Sequence, residues 1–457
     1  MNVTCVYLRA DKSVLRSELL PLGVGYIVSS LKSVGCNTEV LFINLQSDIY
    51  KTLSTANKPD VVAISVASRE DLLFLGKVMP SIKKLFPKAR IIAGGAYVTY
   101  SPQEFAVESL MLDALCIGEG DTAIKKYVAM VRNENFEKTD NLWLKQTDGG
   151  WLKCTRSVFE ENIDALPYPD RAAFDKLLIS TDTNTLILNR GCPNECIYCT
   201  STVFKKASEG KYVRQRKAES IIAEIEDIQK NYQGTSGIIL NSDNALSDPQ
   251  NFFDLLKALK DYNAHAARKI DFTLRFNFLP KLLTENADIV NMMKAAGIHY
   301  VMFGLESGCP EVRKRLKRPY YENAQVIKFA RELREHKIMT EVYAMYCYPF
   351  ETRQSYKQTI ECLKQIKADT VRYSLMVAPK GTELCEYFEN NSVKKLSVVE
   401  YFRVRTVLFR VYISYKPFWE VLKKVILGDE SGGLGTKSFF VSWLSKMAIK
   451  KRALNTK

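Results

Sequence analysis

Through residues 1–140, short apolar runs alternate with stretches whose apolar positions recur every three or four residues. Residues 3–8, 39–44, 60–66, 90–93 and 114–117 have the near-continuous apolar character of strands buried on both faces. The segments between them, 25–34 and 70–85 included, carry the helical period. This alternation predicts a doubly wound parallel sheet covered by helices on both faces. Ligands of such sheets sit beyond the carboxyl ends of the strands. The loops expected there are Ala67–Ser68, Gly94–Gly95–Ala96 and Gly118–Glu119–Gly120–Asp121.

Residues 141–182 lose the period, hold Pro167 and Pro169, and read as a linker. Alternation resumes at 183, with strands expected at 185–189, 237–241, 271–276, 300–304, 340–346 and 370–375. Between them lie helices such as 218–230, where Ile221, Ile222, Ile225 and Ile228 share a face. Six successive βα units predict a partial (β/α)6 barrel of TIM type over 183–395. Residues 396–457 read as a basic, aromatic, helical C-terminal region, with Tyr401, Arg403, Arg405, Phe409, Trp419 and Lys423 among them. The expected class is thus α/β, with a doubly wound domain over 1–140, a linker, a partial barrel and a helical tail.

The chain has 457 residues, enough for two or three domains. At 46% hydrophobic and 25% charged it has the composition of a soluble globular protein rather than a disordered one. No apolar run approaches the 18 residues of a membrane span. The net charge of +14 favours anionic partners without choosing among them. The first residues read as a strand and not as a secretory signal, so a reducing, cytoplasmic setting is expected. In that setting the eleven cysteines point to metal or redox chemistry before disulfides. Histidine is scarce, with only His265, His299 and His336, which weighs against mechanisms needing several imidazoles.

The sharpest local feature is Gly191–Cys192–Pro193–Asn194–Glu195–Cys196–Ile197–Tyr198–Cys199, directly after the first strand of the second domain. Three cysteines at i, i+4 and i+7 can wrap one inorganic cluster, and iron–sulfur clusters are held by thiolates. Three ligands on a four-iron cluster leave one iron open, as a catalytic centre requires. The competing reading is a structural zinc or iron–sulfur site with a fourth ligand elsewhere, for which Cys154, Cys309 and Cys347 are candidates.

The triplet resembles that of the radical S-adenosylmethionine (SAM) superfamily, and the resemblance extends over roughly residues 1–390. Tyr212–Arg216, Asn241–Asn244, Phe303–Gly308 and Tyr348–Thr352 are similar to successive motifs of one large branch, with Phe350 where glycine is usual. Leu166–Arg171 echoes that branch's proline linker. Pro21–Leu22–Gly23–Val24–Gly25–Tyr26 resembles the entry to its N-terminal cobalamin-binding-type, Rossmann-like domain. The resemblance implies a 4Fe–4S cluster on Cys192, Cys196 and Cys199, with SAM chelating the fourth iron and cleaved by one electron to a deoxyadenosyl radical. It implies SAM contacts at Asp243, Asn244, Arg275, Glu306 and Ser307. Asp243–Asn244 also suits a helix N-cap.

Many members of this branch transfer a methyl group from methylcobalamin to carbon; others perform cyclisations, dehydrogenations or rearrangements. The Asp-x-His-x-x-Gly loop that supplies a histidine to cobalt is absent, because no histidine precedes His265. Cobalamin therefore rests on Gly94, Gly95, Gly118, Gly120 and Ser65, which are equally expected in the tight turns of any doubly wound sheet. The reading favoured by sequence is a cobalamin-dependent C-methyltransferase of a biosynthetic pathway. It implies a small-molecule or peptide substrate and a one-electron reductant such as flavodoxin or ferredoxin. The alternatives are cobalamin-independent radical chemistry, or a non-catalytic metal-bound protein that binds nucleic acid, for which no recognised module appears. The run Arg313–Lys314–Arg315–Leu316–Lys317–Arg318 is expected on a solvated helix face, with an acidic substrate or leader peptide as the alternative. The C-terminal region is expected to cap the barrel, with contact to anionic membrane as the alternative.

Overall fold

The computed structural model of the chain describes residues 1–15, 20–107, 110–178, 182–276, 288–346, 348–376 and 378–390. They form two compact units. The first takes the residues up to 276 together with 291–299 and 378–387, and the second is built mainly from 300–376.

The first unit opens with a seven-stranded sheet. Its strands are β1 (Asn2–Arg9), β2 (Asn37–Asn44), β3 (Val61–Ser65), β4 (Arg90–Gly94), β5 (Ala114–Cys116), β6 (Leu142–Lys145) and β7 (Trp151–Leu152). Their order is β2-β1-β3-β4-β5-β6-β7. The first five are parallel, with Val3 opposite Thr38 and Val61, and Ile92 opposite Ala114. Alternate strand residues feed two apolar layers. Val6, Leu41, Ile64 and Ile91 pack with Leu75, Val78 and Ile82 of the helix Arg69–Leu85. Val3, Val40, Val61 and Ile92 pack with Val28, Leu31, Ile124 and Tyr127 of the helices Leu22–Ser33 and Asp121–Asn133. Burial on both faces is why these strands read as continuous apolar runs.

The sheet extends further than the sequence suggested. β6 and β7 lie in the segment read as linker and join as antiparallel edge strands, with Ala114 opposite Leu144 and Leu144 opposite Leu152. Two- and four-residue edge strands are too short to show a period. The rest of that segment is laid along the first unit. Asp170 N–H donates to Gly25 O at 3.1 Å, and a Cβ on Gly25 would stand 2.9 Å from Pro169 Cβ. The two motifs that resembled family signatures thus pack against each other. Arg171 ends the segment buried, donating to Thr185 O at 2.8 Å and to Glu224 Oε1 at 2.6 Å. Arg216 holds the other Glu224 oxygen, so one carboxylate joins the linker to the helix Ala218–Asn231.

Six further parallel strands alternate with helices, as expected for the partial barrel. In the first unit β8 (Thr183–Ile187) and the later β11 (Gly237–Asn241) and β12 (Asp271–Phe276) pair in parallel, with Thr183 opposite Gly237 and Gly237 opposite Asp271. Between β8 and β11, β9 (Asn189–Arg190) and β10 (Arg214–Gln215) form a separate antiparallel ribbon. In the second unit β13 (Ile298–Glu306, from Tyr300 on), β14 (Met339–Tyr346) and β15 (Thr370–Leu375) pair in parallel, with Tyr300 opposite Met339 and Glu341 opposite Thr370.

The basic run after β13 differs from expectation. Lys314, Arg315 and Lys317 are exposed, but Arg313 and Arg318 are buried. Arg313 donates to Ser307 O, Asn323 Oδ1 and Tyr321 O, and Arg318 to Gly304 O. These two arginines satisfy backbone carbonyls at the end of β13 and in the loops that follow it. The C-terminal region from 391 lies outside the described residues. Among those described, no helix is long and apolar enough to cross a membrane.

Candidate active site

The cysteine loop is the segment that the β9–β10 ribbon closes. Gly191 leaves β9 at φ +87°, and a Cβ there would stand 2.2 Å from Tyr212 O. Only glycine fits this crossing of the loop's two ends. Cys192 and Cys196 are buried and Cys199 is partly so. Cys199 N–H donates to Cys196 O at 3.0 Å, and Ser201 N–H points at Cys199 Sγ at 3.4 Å. Burial pushes the Cys192 thiol up to about 11, and Cys196, Asp243 and Cys199 add to the rise against one opposing backbone bond. A metal binding there must displace the Cys192 proton.

Three clustered thiols, one receiving an N–H, fit an iron–sulfur cluster. Among the described residues, no three His, Cys, Asp or Glu side chains converge on a single metal ion. Of the candidates for a fourth ligand, Cys154 packs against the apolar core of the first sheet, and Cys309 stands at the N-cap of Pro310–Arg315 in the second unit. Cys347 lies outside the described residues.

Beside this loop is a cavity of about 400 Å³. Its lining is mostly apolar, with Ile27, Ala63, Ile92 and Ile124, and it lies at the carboxyl ends of β1, β3, β4 and β5. The predicted Ser65, Gly94, Gly95, Gly118 and Gly120 all line it. Three of these glycines are also required by the neighbouring chain. A Cβ would come within 2.7 Å of Val66 O from Gly95, 2.8 Å of Ser208 Oγ from Gly118, and 2.8 Å of Ile27 Cδ1 from Gly120. The size, the apolar lining and the close-lying backbone suit part of a corrin nucleotide.

The same cavity is walled by Asn189, Arg190, Phe204, Ser242 and Asp243. Phe204 belongs to Ser201–Ala207, the helix that follows Cys199, and meets Tyr100 edge-on at 5.7 Å. Asp243 Oδ2 accepts the Gly191 N–H at 2.8 Å. The surrounding protein raises the Asp243 pKa, against the Gly191 bond and the charges of Arg275, Arg190 and Arg214. Asn189 braces the corner, accepting from Ser242 Oγ and Asp243 N–H and donating to Gly191 O.

Sequence reasoning missed a charged cluster on the cavity rim. Arg190 makes two bonds to Asp121, at 2.8 and 3.1 Å, stands 3.4 Å from Glu119 and lies over the Tyr26 ring at 4.9 Å. Arg214 grips Glu119 with two bonds of 2.7 and 2.8 Å. Burial opposes the Arg190 charge, but Asp121 and Glu119 more than restore it, so its pKa is raised. No local pattern announces pairs separated by 69 and 95 positions.

The remaining predicted SAM contacts fare unequally. Arg275 is exposed near the end of β12. Asn244 is fully buried, with neither side-chain polar atom hydrogen-bonded, and it stands at the N-cap of the 3-10 turn Ala245–Ser247 without a side-chain cap. Glu306 ends β13 in the second unit with φ +58°. Ser307 is buried: its hydroxyl lies 3.1 Å from Thr359 Oγ1 and accepts the Cys309 N–H, so it also braces the loop after β13.

A doubly wound domain with a ligand crevice at its strand ends, followed by a βα array that carries three thiols after its first strand, defines a two-domain metallo-cofactor enzyme. Residues 9–128 match the B12 binding domain and residues 186–363 the Radical SAM superfamily. The chain belongs to the radical SAM superfamily, in the branch with an N-terminal B12-binding domain. Its family cofactors are a 4Fe–4S cluster and SAM, and its first domain indicates cobalamin. It is 23% identical over 434 residues to an uncharacterized methyltransferase of Pyrococcus horikoshii, covering 92% of this chain and 89% of that one. It is 24% identical to the hopanoid C-3 methylase of Methylococcus capsulatus, covering 73% and 63%. Among solved structures, the radical SAM methyltransferase TsrM of Kitasatospora setae, with cobalamin and a [4Fe-4S] cluster bound, superposes with a TM-score of 0.67 at 15% identity, covering 85% of this chain and 75% of that one.

Proposed function

We propose that this chain is a cobalamin-dependent methyltransferase that methylates carbon in a biosynthetic pathway. The observation that carries the reading is a cavity whose walls come both from the B12-binding domain and from the residues beside the cysteine loop. When bound, the cluster supplies an electron for sulfonium cleavage and the corrin carries the methyl group. The chain's own residues hold and orient. Cys192, Cys196 and Cys199 ligate the cluster, and Gly191 with Asp243 fixes their loop. Within the first unit, Asp243 is assigned to the SAM ammonium and Arg275 to the SAM carboxylate. Ile27, Ile92 and Ile124 keep water from the corrin tail. The reaction also requires a substrate and a one-electron donor, and a flavodoxin or ferredoxin fits the second role.

The test needs no knowledge of the substrate. Anaerobically reconstituted protein is titrated with hydroxocobalamin, desalted, reduced and given methyl-labelled SAM. Corrin retained near one per chain, and label recovered on it, is the expected result. Iron–sulfur loading without corrin retention would falsify the methyltransferase reading and leave a radical SAM enzyme of another kind.

A further inference from the structure

The ribbon at the base of the cysteine loop bears two arginines directly opposite each other, Arg190 on β9 and Arg214 on β10. Like charges facing across a strand pair repel, so this placement needs compensation. It comes from one loop, Gly118–Asp121, on the cavity rim. Glu119 takes Arg214 through both oxygens and Asp121 takes Arg190 through both. Glu119 also accepts the Glu160 N–H at 2.6 Å, and Arg214 donates to Glu160 O at 2.7 Å, which fixes the carboxylate from a third side. On the other side of the ribbon, Arg190 precedes Gly191, whose N–H is held by Asp243, and Cys192 follows at once. A short, fully bonded path therefore runs from the backbone at Gly118–Gly120 to the first cluster cysteine.

We propose that Arg190 and Arg214 are positioning residues that couple occupancy of the cavity to the geometry of the cluster loop. A ligand seated against Gly118 and Gly120 presses on the loop carrying Glu119 and Asp121. Paired, partly buried guanidinium–carboxylate contacts are rigid in direction, so a shift of that loop moves the ribbon and hence Gly191 and Cys192. The coupling runs both ways, because the influence of one bound group on another is reciprocal. This rests on the corrin reading above, and the experiment separates the two.

The probe is methylcobalamin, which is diamagnetic and leaves the electron paramagnetic resonance of the reduced cluster unobscured. Spectra of the reduced holoprotein are recorded with and without it, alongside iron content and corrin uptake. In the parent protein, corrin binding is expected to shift the g values of the cluster. In Arg214→Gln, iron and corrin are retained and the shift is lost, and Arg214→Lys restores part of it. If that variant fails to load iron, Glu119→Gln removes the same contact from the other side and is expected to abolish the shift. Bound corrin with unshifted g values in the parent overturns the coupling alone, as does an undiminished shift in the variants. A parent protein that takes up no methylcobalamin overturns both proposals.

Discussion

A methyl group on Gly191 would meet the Tyr212 carbonyl oxygen at 2.2 Å, and the backbone there is left-handed. Gly191→Ala is therefore expected to cost about 1–2 kcal/mol from the backbone alone, to open the loop's base and to lower iron retention well below one cluster per chain, as an iron assay after desalting would show. Cys199→Ala removes a partly exposed ligand without opening a core cavity. It is expected to abolish cluster loading while the far-ultraviolet circular dichroism stays unchanged, and retained iron would contradict the ligand set. The cysteine spacing was legible because a loop's ligands lie close in sequence. The loop bonds of Ser307 to Thr359 and Cys309 were not legible, because a serine after a strand end carries no mark of a partner some fifty positions away. Arg313 and Arg318 were misread because charge suggests solvent until carbonyl partners are seen.

At the level of elements, the segment between the domains acts as a brace. Arg171 and Arg216, 3% and 2% exposed at their side chains, share Glu224, which is wholly buried. Asp164 lies 3.7 Å from Arg216 and offsets part of its charge. Glu224→Gln leaves two buried cations short of a counter-ion, and removing one partner of a buried pair costs about 3–5 kcal/mol. A lowered urea midpoint checks this, and an unchanged one would show that Asp164 alone suffices. The strands of both sheets were legible from their apolar runs, since burial on two faces leaves no polar alternation to confuse the pattern. β6, β7 and the two-residue ribbon were not, because elements that short are defined by their partners rather than by their own sequence.

At the scale of the whole molecule, the division of labour between a corrin crevice and a cluster loop yields a selective prediction. Ser65→Trp places a large ring at the carboxyl end of β3, inside the cavity. It is expected to reduce hydroxocobalamin retention at least tenfold while iron content stays at the parent level. In the parent, saturating corrin at about a hundred times its dissociation constant stabilises the fold by about 2.7 kcal/mol, seen as a raised melting temperature that the variant lacks. The order of domains was legible because each repeats a simple alternation. The rim cluster was not, since its pairs span tens of residues. That cluster has a consequence for anyone dissecting the chain. A fragment beginning at residue 183 would keep Arg190 and Arg214 face to face but lose Glu119 and Asp121, along with Arg171, the linker's partner for Glu224. Such a piece starts life electrostatically orphaned, so the catalytic half of this protein is not a portable module and should be expressed only behind its own N-terminal partner.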